Sequence, residues 1–170
     1  MPKLTLKRLV INEDDSLQLE SEEDDSVQLQ PEDEYDPSLK NQVIPIDTFL
    51  ACGKKPEHCA VWLSSADDVY ALKDELDKID VIVCHFNSFT DGRSFSQARI
   101  LREHLEYKGI VRAAGNFIQD QMHYLSRCGF DEFSVPDDLD EASLCESISD
   151  FSESYQAAAD VPAPLFRRRD

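Results

Sequence analysis

Asn87, Ser88, Thr90, Asp91, Arg93, Ser94 and Ser96 fall within one short stretch that follows an apolar run. A second stretch, after another apolar run, supplies Asn116, Asp120 and Gln121, with Arg112 just ahead of it. Such groups suit a small anion: Arg brings charge and paired donors, and Ser and Asn add hydroxyl and amide donors. Free amide protons at a helix start add to the same field. The residues expected at an anion site are Asp91, Arg93, Ser94, Ser96, Arg112, Asn116, Asp120 and Gln121, with Arg93 as the main charge. Arg112 joins them only if its side chain leaves the core. A competing reading is structural, with Asp91, Arg93 and Gln121 locking neighbouring loops together by hydrogen bonds and ion pairs.

Several catalytic patterns are missing. No Gly-x-Gly-x-x-Gly follows an apolar run, and neither Gly-x-x-x-x-Gly-Lys-Ser/Thr nor Gly-x-Ser-x-Gly occurs. The five cysteines, Cys52, Cys59, Cys84, Cys128 and Cys145, form no Cys-x-x-Cys pair. Neither a disulfide framework nor a metal site is expected, and buried reduced thiols are the default. Of the histidines, His104 and His123 read as surface residues and His85, in an apolar run, as a satisfied core residue. Cys128 lies at the far end of its helix, where the dipole does not lower a thiol pKa. No nucleophile and base can be paired, so catalytic residues and any cofactor stay unassigned.

The elements that must position these residues follow from periodicity. Cys59–Leu63, Val81–Phe86, Ile110–Ala114 and Phe130–Val135 are compact apolar runs, as strands buried on both faces must be. Between them, Val69, Leu72, Leu76 and Ile79 recur at helical spacing, as do Phe95, Ala98, Leu101 and Leu105, and then Ile118, Met122 and Leu125. Ser65 is placed to cap the first helix, and Ser94 with Gln97 fits a capping box on the second. A last helix carries Leu144, Ile148, Phe151 and Tyr155. Alternating strands and helices at this spacing predict an α/β fold. Its parallel sheet has about four strands from consecutive βα units, either half-barrel-like or an open layer. Ligands bind such sheets where the strands end and the loops enter the helices.

Ahead of this lies an N-terminal β arm. Residues 4–11 read as a strand, and Glu13–Leu19 and Glu23–Leu29 repeat an acidic turn followed by alternation. A hairpin or meander explains them; an acidic docking surface for a basic partner is the sharper alternative. Val43–Ile46 reads as a short extended piece. The expected organisation is an acidic β arm and linker over residues 1–42, an α/β domain over 43–156 and a frayed tail over 157–170. The formal net charge of −18 argues against nucleic acid and anionic membranes as partners. Neither a membrane-length apolar run nor a signal peptide is present, so a cytoplasmic location is expected.

The stretch Phe86-Asn87-Ser88-Phe89-Thr90-Asp91-Gly92-Arg93-Ser94-Phe95-Ser96-Gln97-Ala98-Arg99-Ile100-Leu101-Arg102-Glu103 resembles the hallmark of a bacterial family, domain of unknown function 934. Arg112–Asn116, Asp120-Gln121 and Arg127–Asp131 resemble its second hallmark, and Phe151-Ser152 with Tyr155-Gln156 its usual ending. The acidic arm is longer and more acidic than the family's usual start. The resemblance implies an oxidoreductase label and a link to assimilatory sulfite reduction, with genes beside those of sulfite reductase and the reductase of activated sulfate. It assigns no residue a role. The expectation is an accessory protein of sulfate and sulfite reduction that binds a small oxyanion and a sulfite reductase component. The alternative is an oxidoreductase with a cofactor not visible in the sequence.

Overall fold

A computed structural model describes residues 6–11, 17–21, 43–136, 139–149 and 154–168. The expected strand start at Leu4, the acidic repeat at 23–29, the linker at 30–42 and the Phe151-Ser152 ending lie outside them.

The strands are β1 (Leu6–Ile11), β2 (Leu17–Ser21), β3 (Val43–Pro45), β4 (Cys59–Ser64), β5 (Ile79–Phe86), β6 (Ile110–Gly115) and β7 (Glu132–Pro136). They form one sheet in the order β2-β1-β7-β6-β5-β4-β3. From β3 to β7 every neighbouring pair is parallel, so Val43–Pro45 raises the parallel count from the expected four to five. The N-terminal arm contributes β1 and β2. They pair as a hairpin, and β1 adds antiparallel to β7.

The strand order explains the layering. Sequential strands added in one direction, each by a right-handed crossover, put every connection on the same face. The connections are α1 (Ile46–Ala51), two 3-10 turns at Val69–Leu72 and Leu76–Lys78, α2 (Arg93–Arg99, running into a π-helical turn to His104), and a 3-10 turn at Gln119–Gln121 leading into α3 (Met122–Arg127). Two further helices follow β7, α4 (Glu141–Ile148) and α5 (Leu165–Arg168). On the helical face Ile44, Val61, Leu63, Ile82, Cys84, Phe86, Val111, Ala113, Phe133 and Val135 pack against Phe49, Leu72, Ala98, Leu101, Met122 and Leu125. The alternate residues Val43, Ala60, Val81, Val83 and Ala114 form a second buried cluster on the other face, with Trp62 against it. This strict alternation is the period-two geometry of a strand.

Three expectations about the helices change: the helix that carries Leu144 ends at Ile148, so Tyr155, expected on it, lies beyond α4. The segment after Ser65 forms two 3-10 turns rather than one α-helix. Asp68 accepts from the Tyr70 amide at 3.0 Å and starts the first turn, and Glu75 in non-helical backbone separates it from the second. Helix α2 starts at Arg93 after Gly92, two residues earlier than a Ser94 cap allows.

One arginine closes the amino-terminal end of the sheet. Arg102 donates Nε to the Gly129 carbonyl at 3.0 Å and Nη1 to the carbonyls of Tyr107 and Gly109, both at 2.8 Å. Its Nη2 pairs with the Asp131 carboxylate, which also accepts from the Val111 amide. The approach requires a glycine: Gly129 has φ +100°, and a Cβ there would lie 2.5 Å from Arg102 Cγ. Arg102→Met strands three carbonyls and a carboxylate at once. A loss of about 2–4 kcal/mol in urea unfolding is expected; an unchanged midpoint would show the latch contributes nothing.

Candidate functional site

The carboxyl ends of β4, β5 and β6 carry a connected set of polar side chains. Ser65, just past β4, donates Oγ to Asp91 Oδ2 at 2.6 Å. Asp91 also accepts from Arg93 Nε at 2.9 Å, Arg93 Nη2 at 2.7 Å and the Arg93 amide at 3.2 Å. Arg93 Nη2 reaches Ser65 Oγ as well, at 3.2 Å. Asn87, just past β5, donates Nδ2 to Ser65 Oγ at 3.1 Å and to Ser64 Oγ at 3.2 Å. Past β6, Asn116 donates Nδ2 to the Asn87 carbonyl at 3.0 Å and its amide to the Phe86 carbonyl. Three loops from three strands are therefore tied side to side.

His85 completes the set from the last turn of β5. Its ring is half-buried and stacks on Trp62 with centroids 4.6 Å apart. Its Nδ1 lies 2.7 Å from Asn87 Oδ1. An amide oxygen can only accept, so Nδ1 donates to it and Nε2 is the ring's second nitrogen. That Nε2 faces Gly115, at φ +96°, where a Cβ would lie 2.6 Å away. The ring thus sits at the rim, not in the core as the apolar run suggested.

Deeper in the rim, Gln97 Nε2 donates to the carbonyls of Ser64 and Asp67 at 2.8 and 3.1 Å. Gln97 Oε1 is buried and has no partner among the described residues. Ser94 is fully buried and donates Oγ to the His85 carbonyl at 2.9 Å.

The predicted residues divide accordingly. Asp91, Arg93 and Asn116 stand on the rim and are joined through Ser65 and Asn87. Ser94 lies beneath it as an internal strut. Ser96 and Asp120 are exposed, with no side-chain hydrogen bond among the described residues. Gln121 turns its Oε1 back to the Ile118 amide at 3.2 Å and so caps its own turn. Arg112 does not belong to the rim. It points to the face opposite the described helices, is 1% exposed, and pairs with buried Glu132 at 2.7 Å through Nε and Nη2. Strand parity decides this: Arg112 alternates with Val111 and Ala113, both of which face the helices.

Ser65, Asn87, Gln97 and His85 are the rim residues that motif reading placed elsewhere or left without a role. Ser65 was expected as a helix cap and Gln97 as half of a capping box. The available signal was position alone, since each ends a strand, follows one or lies in the helix that comes next.

Electrostatics favour a locked surface. Hydrogen bonds from Arg93 and Ser65 hold the Asp91 carboxyl far below the usual carboxylate range. Arg93 spends its charge on Asp91 but keeps its outer edge exposed. Burial raises the thiols of Cys84, to about 12, and of Cys59, to about 11. Burial also raises Cys128. At neutral pH all three are therefore thiols rather than nucleophilic thiolates. Outside the polar set stand two exposed apolar side chains, Phe89 and Ile118, on the loops after β5 and β6. Among the described residues no helix is long and apolar enough to cross a membrane.

Residues 60–166 match a family model described as "Bacterial protein of unknown function (DUF934)". No curated protein and no solved structure matches the chain.

Two outcomes follow from the geometry. Because the folded-state pKa of Asp91 is depressed, its contribution is present above about pH 4, the ordinary carboxyl range, and is lost as pH falls further. Asp91→Asn is expected to melt lower than wild type at pH 7, with the gap closing below about pH 4. A gap that is absent, or constant from neutral pH into acid, contradicts the assignment. For the buried pair, Arg112→Met is expected to cost about 3–5 kcal/mol because the buried Glu132 carboxylate loses its Arg112 partner. Arg112→Met with Glu132→Leu should recover most of that; a neutral single variant would contradict the pairing.

Proposed function

The chain belongs to this bacterial family of unknown function, and from that premise we propose that it is a cytoplasmic, non-catalytic accessory protein of assimilatory sulfite reduction. Its rim would engage a reductase component. The observation that carries the binding half of this reading is the inward turn of the rim's hydrogen bonds. Ser65, Asn87, Asp91 and Asn116 satisfy one another across three loops. Groups so engaged are poor acids, bases and nucleophiles, but they hold a surface in a fixed shape.

What that surface presents outward suits a protein partner. Phe89 and Ile118 are 50% and 44% exposed, and Arg93 and Ser96, which follow Phe89 in sequence, are exposed as well. Exposed aromatic and arginine side chains on a rigid frame are the usual anchors of an interface. Rigidity also lowers the ordering cost of association. The carboxylates between Glu13 and Asp36 would speed encounter with a basic surface. A sulfur oxyanion, in this reading, reaches only the outer edge of Arg93 and Ser96, with Asp91 cancelling most of the guanidinium charge. The sulfur link itself rests on the resemblance of the Phe86–Glu103 stretch.

Affinity purification from the native host grown on sulfate tests this. A sulfite reductase component should be enriched. The Phe89→Ser, Ile118→Ser double variant should lose about tenfold or more of that capture, as anchor removal does. Enrichment of no sulfur-assimilation protein, or capture that ignores both substitutions, would refute it. Flavin or iron–sulfur absorbance in the purified protein would favour the oxidoreductase alternative instead.

A further inference from the structure

Far from the rim, at the amino ends of β6 and β7, an open cavity of about 460 Å³ is lined by Val10, Tyr107, Lys108, Ile110, Asp131 and Arg102, among others. Its size is at the small end of ligand sites, which run from about 300 to 1,000 Å³. The charges along it are not all spent. Arg102 is consumed by three carbonyls and Asp131, and Glu132 is paired with Arg112. Lys108 is exposed and has no hydrogen-bond or ion-pair partner among the described residues. Asp131 uses Oδ2 for both Arg102 and the Val111 amide, which leaves Oδ1 open on a side chain 40% exposed. Ile110 lines the same cavity and stays 36% exposed, an apolar side chain at a charged mouth.

An unpaired ammonium, an open carboxylate oxygen and an apolar wall form a dipolar, amphipathic complement. We propose that this cleft binds a small free α-amino acid with an apolar side chain. The ligand carboxylate lies on Lys108 Nζ, its ammonium on Asp131 Oδ1, and its side chain against Ile110 and Val10. A simple anion is disfavoured there, because it meets Lys108 but also the open face of Asp131. A simple amine meets Asp131 with Lys108 close by. Only a ligand with both charges satisfies both groups. The walls are already rigid, since the Arg102 latch ties the Tyr107–Gly109 turn to Gly129 and Asp131, so little ordering is needed on binding. The cleft and the rim lie at opposite ends of the strands, so this proposal stands apart from the partner reading.

Isothermal titration of the full-length protein with L-valine and L-leucine, with butyrate and n-butylamine as single-charge controls, tests the class. The amino acids should bind at millimolar concentration or below, and each control about tenfold or more weakly, the equivalent of one charge-assisted hydrogen bond. Lys108→Ala and Ile110→Asp should each weaken valine binding by a similar factor. The exposed Lys108 can be removed without moving the melting temperature, so a binding loss there is not a folding defect. Butyrate binding as tightly as valine overturns the zwitterion assignment. So does Lys108→Ala leaving affinity unchanged, or no heat with any of the standard amino acids.

Discussion

The carboxylate of Asp91 is the joint on which the functional end of this protein depends. It accepts from Ser65, which follows one strand, and from Arg93, which opens the helix after the next. Without it, the two loops would meet only through the Arg93–Ser65 contact and neutral amide and hydroxyl contacts. With it, a charged acceptor gathers several donors on two oxygens, and Asn87 and Asn116 extend the chain to a third loop. Charge-assisted hydrogen bonds are roughly twice as strong as neutral ones. Their concentration at one carboxylate explains how loops with few apolar contacts stay in register. The same joint reduces the chemistry the rim can do, because its acid, its base and its cation already serve one another.

The sheet's winding divides labour between its two ends. Because β3 to β7 are added in sequence order, every helix and turn that links them covers one face. The strand ends are the only places where loops from several units meet. At the carboxyl end those loops knit into the Asp91 rim. At the amino end a different arginine, Arg102, does the fastening, and there it leaves a cleft between the latch and strand β1. One end is thus closed over and presents a surface, and the other is fastened yet open.

Much of the fold was legible in the sequence because its signals are local. Continuous apolar runs such as Val81–Phe86 have few homes other than a strand covered on both faces, and the spacing of Phe95, Ala98 and Leu101 marks one helical face. The rim was legible as a place, from the rule that loops at strand carboxyl ends converge, but not as a wiring diagram. Ser65 and Gln97 have the side chains of helix caps. They instead bond to Asp91 and to the Ser64 and Asp67 carbonyls, choices made by neighbours more than twenty residues away. Arg112 failed for a sharper reason. A lone arginine in an apolar run carries no mark of its partner, and Glu132, which makes burial tolerable, belongs to another strand. The Val69–Ile79 segment misled because 3-10 turns and a short α-helix share an apolar spacing of three to four residues.

Hydrogen exchange at the rim amides measures the central claim most directly. The Ser64 amide is held by Asp67, the Arg93 amide by Asp91 and the Asn116 amide by the Phe86 carbonyl. If the polar set holds the three loops as one body, these amides exchange slowly and together, and all three quicken in Asp91→Asn while the amides of β5 and β6 do not. Exchange of the three at unrelated rates, or rates untouched by that substitution, would mean the loops are separate and no preformed surface exists.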